Sequence, residues 1–536
     1  MMRTAKTTVL ILFFGILVAG NCFATTYYID YSSGSDSNSG TLKTSPWQHA
    51  PGMQTCTNSC AAASIKAGDS IILKGGVTWP NASFMWNLPG GATGNPVYVG
   101  VDKTWFSGSS WTRPILTAGG TVISNNYNTM FAVPGNVTVD NFEITGFYWT
   151  SASCSGAPYG DCGIFNAGQN NGQTWENLYI HGWTHAGTSA TTNNGVVNII
   201  ATGGGGNGVA HDNVIVGTDV PGDHSVSVFF NGPPVAYNNY IKQVSSAFIV
   251  SYASSVHDNH IEDIGPAYCN MPFPQYAGTC THENGFEDNG DIGLDFYNNV
   301  ITNVNAGLAM WIAPNPGYTA TIWNNVIYAI HDNQVMDMAP PVYTPTYCSS
   351  GSTSNYYCKT AGTYVFENNT VECGDDTTQY DQCQTNVGNI GSGSVATAFV
   401  YQNNHFITAT TAKGCATGSG AAASCTFDST NVVQTLATAN SQGYNSAEAY
   451  AFSPSASGNA TVGTGSNLMS SATGNLSTLA NDTTYSCIMG GGSEPSCPAQ
   501  TITARPSSGS WDAGAYLYSS SSQKPVPPTG LAALVN

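Results

Sequence analysis

The chain has 536 residues, with 31 acidic against 12 basic side chains and only 8% charged residues in all. Its 41% hydrophobic content is enough for a large folded core, while 60 glycines and many Asn punctuate nearly every apolar run, so helix content is expected to be very low. A formal net charge of −19 argues against nucleic acid and anionic membranes as partners.

Residues 1–24 read as a secretory signal: Arg3 and Lys6 precede an apolar run from Val9 to Ala19, then the small-residue site Cys22–Ala24. The run is short for a membrane span, and no later stretch approaches ~20 apolar residues. Asn21 before Cys22 does not suit a lipoprotein signal. The expectation is a protein that is secreted, extracellular or at the cell surface, with no membrane span. Removing the signal takes away two of the 12 basic residues and no acidic one, which leaves a net charge of −21.

One of the 15 cysteines lies in the signal, and the other 14 fall into close neighbours. These are Cys56/Cys60, Cys154/Cys162, Cys269/Cys280, Cys348/Cys358, Cys373/Cys383, Cys415/Cys425 and Cys487/Cys497. No neighbours have the C-x-x-C spacing of a zinc or redox site, so the expectation is local disulfides stapling loops in an oxidising compartment. Asn81 and Asn136 open Asn-x-Ser/Thr sites, relevant only in a glycosylating host.

Residues 25–120 read as an N-terminal cap and first coils, with glycine-closed strands at Gly68–Gly76 and Pro96–Gly100. Residues 121–410 carry a phrase that recurs nine times, an Asn followed by a short apolar strand, at Asn141, Asn177, Asn213, Asn239, Asn259, Asn299, Asn325, Asn369 and Asn404. A fixed core with a variable remainder is the mark of a solenoid, whose turns bury their apolar sides against their neighbours. Asn tolerates the left-handed backbone of a sharp bend, and amides stacked at the ~4.8 Å strand spacing can bond to each other. Unrelated hairpin turns of a β-sandwich would not keep the same strand phrase after every Asn. A second strand family lies upstream of the Asn phrases, at Gly195–Ile200, Ser225–Phe230, Ala247–Tyr252, Gly285–Asp288 and Gly307–Ile312.

Residues 411–518 are expected to hold ragged late coils or a packed covering segment, ending in a closing strand at Trp511–Tyr518. Residues 519–536 read as a Ser/Pro-rich linker or the start of a further module.

Three elements together resemble the right-handed parallel β-helix proteins of the pectate-lyase-like superfamily: the entry strand Ala67–Gly76, the Asn-Asn-x-Ile coils and the ending Arg505–Tyr516. The resemblance spans about 27–518 and implies an all-β parallel β-helix with disulfide-stapled loop insertions. Members of that superfamily include polysaccharide lyases, glycoside hydrolases, tailspikes and adhesins, so the fold by itself implies no single activity.

The densest polar cluster runs from Thr281 to Asp291 and follows the loop closed by Cys269 and Cys280. If Phe286 points inward, Glu287 projects from the exposed face, with Trp311 and Tyr252 on neighbouring coils and His224 at the same edge as His282. Carboxylates for proton transfer and a Trp on which a sugar ring could stack describe a saccharide groove. Glu287, with Asp288 or Glu283, is the expected acid and base or nucleophile, His282 stands beside them, and Trp311, Tyr252, His224 and Lys242 are the expected substrate contacts. Asp291 with Glu287 and Asp288 suits Ca²⁺ equally, although no cofactor is required for hydrolysis. The bland alternative is a solvated acidic loop. His257 and His331 read as turn residues.

Three functions stay open. The first is a glycoside hydrolase acting on a neutral or weakly charged polysaccharide or cell-surface glycan. The second is a non-catalytic surface, adhesion or filament protein capable of self-association. The third is a Ca²⁺-dependent lyase with Lys242 as base. The lyase suffers from a shortage of cations, since between 121 and 410 only Lys242 and Lys359 are basic.

Overall fold

The computed structural model describes residues 24–519 outside 81–85, 120–128, 147, 151–162, 169, 183, 187–196, 203–207, 218–225, 231, 233, 245, 251–252, 265–283, 289–292, 305, 311–316, 331–335, 338–361, 374–385, 388–397, 409–412, 416, 418–423, 447–449 and 484–502. Among the described residues, parallel strands stack into three long sheets of 13, 12 and nine strands. The chain visits them in rotation. One coil, for example, runs through Thr129–Ala132 in the nine-stranded sheet, Val137–Asp140 in the thirteen-stranded sheet and Glu143–Thr145 in the twelve-stranded sheet. The next coil repeats the path at Gly163–Gly168, Thr174–Glu176 and Tyr179–His181, each strand paired in register with its predecessor. The chain is a parallel β-helix.

Period-two alternation sends one side chain in two into the interior. The twelve-stranded sheet contributes an inward column of Ile144, Ile180, Ile215, Ile241, Ile261, Ile301 and Ile327, none more than 1% exposed. The nine-stranded sheet contributes Phe131, Phe165, Phe229, Phe248 and Phe286, each 0% exposed. β-branched and aromatic side chains suit this pleated, half-buried surface, and each fully buried one contributes about 1.5–3 kcal/mol.

The turn between the thirteen- and twelve-stranded sheets explains the repeated phrase, and it corrects the simple reading of one Asn with two jobs. Two adjacent positions divide the work. The first is left-handed: Asn141, Asn177, Asp212, Asn238, Asp258, Asn298, Asn324, Asn368 and Asn403 have φ between 54° and 63°. The second points inward and, from Asn213 on, builds an amide ladder through Asn239, Asn259, Asn299, Asn325, Asn369, Asn404 and Asn431. Each Nδ2 donates to the Oδ1 of the next coil's Asn at 2.9–3.0 Å, and each Oδ1 also accepts the backbone N–H of its predecessor. In the first two coils that carry the Asn phrase, Phe142 and Leu178 occupy the ladder position, so Asn141 and Asn177 belong to the left-handed column alone.

The last coil ends at Val432–Thr435, capped by a short helix, Leu436–Ser441, whose first turn is closed by the Thr435 hydroxyl. Residues 450–483 and 503–519 form no further coil. They pack across the outside of the helix as a covering segment, and Trp511 makes one antiparallel bridge to Gly465 instead of the expected closing strand.

Two of the seven expected disulfides are present as drawn from the sequence, Cys56 to Cys60 and Cys415 to Cys425. Cys373 is also disulfide-bonded, while Cys383, its expected partner, lies outside the described residues. Both members of the other four expected pairs lie outside them too: Cys154 and Cys162, Cys269 and Cys280, Cys348 and Cys358, and Cys487 and Cys497. The same holds for residues 1–23 of the expected 1–24 signal and for the linker beyond 519. Among the described residues no helix is long and apolar enough to cross a membrane.

Candidate functional site

The residue just before each left-handed position faces outward from the thirteen-stranded sheet. In register these are Asp140, Glu176, His211, Tyr237, His257, Tyr297, Trp323, Glu367 and Gln402. Five successive rings stack face to face. Centroid separations are 4.7 Å for His211–Tyr237, 5.1 Å for Tyr237–His257, 4.5 Å for His257–Tyr297 and 4.3 Å for Tyr297–Trp323, with interplanar angles of 1–12°. Because each ring covers its neighbour's face, the column offers its edges outward: imidazole nitrogens and phenol oxygens in place of a flat platform.

Carboxylates bracket the first imidazole. His211 Nε2 lies 3.0 Å from Glu176 Oε2, and its Nδ1 lies 2.7 Å from Asp212 Oδ2. With an acceptor at each nitrogen, both contacts are hydrogen bonds only if the ring donates twice or a carboxyl keeps its proton. Burial and the Asp140 charge on the adjacent strand raise the Glu176 pKa, against the pull of His211; Asp212 adds to the rise. Asp140 accepts hydrogen bonds from Tyr98 Oη at 2.6 Å, Asn141 Nδ2 at 2.6 Å and Asn177 Nδ2 at 2.8 Å. Burial and Asp140 together push the Tyr98 phenol well up. Further along, Tyr297 is pushed up to about 12 and Asp295 is raised, both chiefly by burial.

The scarcity of cations between 121 and 410 does not describe this face. Coiling brings Arg113 from the first coils to the turn after Glu176, where its Nε donates to the Asn177 carbonyl at 3.3 Å.

The covering segment closes the far end of the column. Trp323 is 0% exposed beneath Leu468, Leu479 and Trp511, and its Nε1 donates to Thr478 Oγ1 at 3.1 Å. The left-handed Asn side chains anchor the segment: Asn324 Nδ2 donates to the Asn481 carbonyl at 3.0 Å, and Asn403 Nδ2 to the Ser466 carbonyl at 2.8 Å. Buried Arg505 donates to the carbonyls of Asp512, Gly514 and Ala515 and to Asn324 Oδ1. Under this cover burial pushes Glu367 up to about 7, and burial also pushes Asp482 up to about 6.

Of the residues expected from the sequence, those that are described stand elsewhere. Glu287 sits on the nine-stranded sheet, beside Ile249 and Ala309 in register. It is 3% exposed and accepts from Asn284 Nδ2 at 2.9 Å, so it does not project into an open groove as expected. Asp288 is placed only as the end of that strand. Lys242 lies on the twelve-stranded sheet, its ammonium 3.1 Å from Glu262 and 2.9 Å from Asp263. Burial opposes its charge, but those two carboxylates more than offset it and its pKa is raised, which is the wrong direction for a base. Glu262 stays ionised: burial is outweighed by His260, Tyr240 and Lys242, and its pKa falls to about 2. His224, Tyr252, His282, Glu283, Asp291 and Trp311 lie outside the described residues. Among the described residues no group of three or more His, Cys, Asp or Glu is arranged to hold a metal ion.

Sequence reasoning missed Glu176, His211, Asp212 and Arg113. A signal existed for two of them, Glu176 and His211, because the position before each left-handed residue is acidic, His or aromatic in eight coils. Nothing local marks Arg113, which reaches the site only through coiling.

No family model matches the chain, and no curated protein matches it. Among solved structures it is similar to a GH136 lacto-N-biosidase from Eubacterium ramulus, with TM-score 0.38 and 11% identity over 77% of this chain and 68% of that one. It is also similar to pectate lyase Pel9A, with TM-score 0.34 and 14% identity over 77% and 80% of the two chains. A rhamnogalacturonan lyase gives TM-score 0.33 and 13% identity over 77% and 87%.

Proposed function

We propose that the protein acts on an extracellular polysaccharide as a glycoside hydrolase, with its reacting groups on the outer face of the thirteen-stranded sheet. The observation that carries this reading is Glu176: a carboxyl whose pKa is raised, held by His211 and set one strand from Asp140. Glu176 keeps its proton to higher pH and donates it to the leaving glycosidic oxygen, while Asp140 faces the anomeric carbon as nucleophile or charge stabiliser. Strands ~4.8 Å apart suit the ~5–5.5 Å carboxyl separation of a retaining pair. His211, fixed on its far side by Asp212, aims Glu176. The local disulfides and the signal-like N-terminus support a site of action outside the cell.

Glu287 with Asp288 or Glu283 is the competing pair, supported by the Asn284 bond that orients Glu287. The Ca²⁺-dependent elimination reading, with Lys242 as base and Ca²⁺ at Asp291, Glu287 and Asp288, is disfavoured by the raised Lys242 pKa. A rigid non-catalytic rod is favoured by the unbroken amide ladder from Asn213 to Asn431.

The test is a screen of soluble polysaccharides with wild type, Glu176→Gln, Asp140→Asn and Glu287→Gln. Hydrolysis predicts new reducing ends from wild type and Glu287→Gln, and a loss of about 10²-fold or more in the other two. Loss only in Glu287→Gln transfers the role to that residue. Products absorbing in the ultraviolet as unsaturated sugars indicate elimination. No product from wild type on any polymer leaves the rod.

A further inference from the structure

Upstream of Asp140 and Glu176, where the chain turns from the nine- to the thirteen-stranded sheet, lies a cleft of about 590 Å³. Thr93, Gly94, Gly135, Asn136, Asn171 and Gly172 line it, and no lining residue carries a charge. Its shape depends on left-handed backbone at Gly94 (φ 78°), Asn136 (φ 56°) and Gly172 (φ 76°). Gly172 suits the floor chiefly through its left-handed φ of 76°, since a Cβ there would meet Asn136 Oδ1 at 2.4 Å, a side-chain end that can turn aside. A Cβ at Gly94 would meet nothing within 4 Å, which leaves that wall open.

The Asn136 backbone is fully used: its N–H donates to the Asn171 carbonyl at 2.8 Å, and its carbonyl accepts from Val97 N at 3.0 Å and Gly91 N at 3.2 Å. Its side-chain amide makes no hydrogen bond among the described residues. An amide offers both a donor and an acceptor, which matches the paired donor and acceptor character of sugar hydroxyls. Asn136 begins the run whose end is Asp140, and Gly172 the run that ends at Glu176. Four residues at ~3.3 Å each put the cleft about 13 Å from the carboxyls, with the part-exposed Thr138 and Thr174 between.

We infer that this cleft is a binding subsite for uncharged sugar units of the polysaccharide, whose chain runs along the strand direction over Thr138 and Thr174 to Glu176. The substrate direction rests on the proposed hydrolase reading; the cleft's affinity for neutral sugar does not. Neutral sugar is favoured because no ammonium or guanidinium lines the cleft, whereas an anionic unit would be desolvated there without a partner.

The experiment is affinity electrophoresis of the full chain in gels containing soluble neutral glucan, mannan or xylan, or anionic polygalacturonate. Wild type is compared with Asn136→Gly, which keeps the left-handed backbone but removes the amide, and with Thr93→Trp, which fills the cleft from an exposed position. Glu176→Gln serves as the control, and thermal melting checks that each variant folds. The inference expects at least one neutral polymer to retard wild type and Glu176→Gln equally, with Kd raised about tenfold or more in both cleft variants. It is overturned if the cleft variants bind like wild type, if polygalacturonate alone retards the protein, or if no neutral polymer does. If the cleft variants lose affinity while Glu176→Gln keeps full hydrolysis, the catalytic reading fails and the subsite stands. The converse is a wild type that hydrolyses with an unchanged KM in both cleft variants: the catalytic reading stands and the subsite fails.

Discussion

Tyr297 and Trp323 stack at 4.3 Å with their planes 12° apart, and this contact joins the accessible column of rings to the part hidden under the covering segment. One ring of the pair is partly exposed and the other is 0% exposed, so the open face ends between them. The open stretch of the column is therefore bounded by Asp140, 7% exposed, beside Tyr98 on one side and by the covered Trp323 on the other.

Within that stretch, the pH dependence of activity follows from the sign of the Glu176 shift. Asp212 is one of the charges that raise the Glu176 pKa. Neutralising it by Asp212→Asn lets Glu176 lose its proton at lower pH, so the alkaline limb of the kcat/KM profile should move to lower pH. A profile that does not move, with activity retained, removes Glu176 as the acid.

In the proposed hydrolase His211 is a positioning residue, 3.0 Å from Glu176. His211→Asn should reduce kcat by about 10-fold or more and leave KM nearly unchanged, since the ring aims Glu176 without holding substrate. An equal loss carried entirely in KM would make it a binding residue.

The covering segment should weaken as pH rises. Glu367 moves from 4.5 to about 7 on folding, so its stabilising proton is fully held below about 4.5 and is lost as pH rises through about 7. Asp482, moved from 3.8 to about 6, acts in the same direction. Glu367→Gln should flatten the stability–pH curve between 4.5 and 7 and stabilise the protein above pH 7, by at most about 3 kcal/mol. Chemical denaturation at several pH values, with limited proteolysis of residues 450–519, reads both effects.

The ladder gives the largest stability prediction. Asn299 Nδ2 donates to the Val256 carbonyl and Asn325 Oδ1, and its Oδ1 accepts twice from Asn259. Asn299→Ala strands partners on both neighbouring coils and should cost on the order of 3 kcal/mol or more in urea unfolding. Asn298→Gly beside it, where the backbone is already left-handed, should be nearly neutral, whereas Asn298→Val should cost about 1–2 kcal/mol.

The coil architecture was legible because its cause is local. Each turn needs a left-handed residue and an inward amide, and short side chains at adjacent positions supply both. Even so, the phrase aligned Asn141 with Asn213 although they occupy successive columns, because Phe142 and Leu178 replace the amide without breaking the pattern of strands. The site was less legible. Glu287 was singled out by the density of acidic residues around it, a property of sequence, whereas Glu176 gains its chemistry from Asp140 and His211 on neighbouring coils, 36 and 35 residues away. Arg113 is 64 residues from the carbonyl it meets. Distances of that kind come only from register.

The amide ladder bears on how this molecule can change. Successive ladder residues are separated by 20 to 44 positions in the chain, yet every rung closes at 2.9–3.0 Å. Coils of very unequal length therefore share one spine, whose rungs do not feel the number of residues between them. The number of residues between rungs can therefore change from one coil to the next while the register that the ladder fixes is inherited intact.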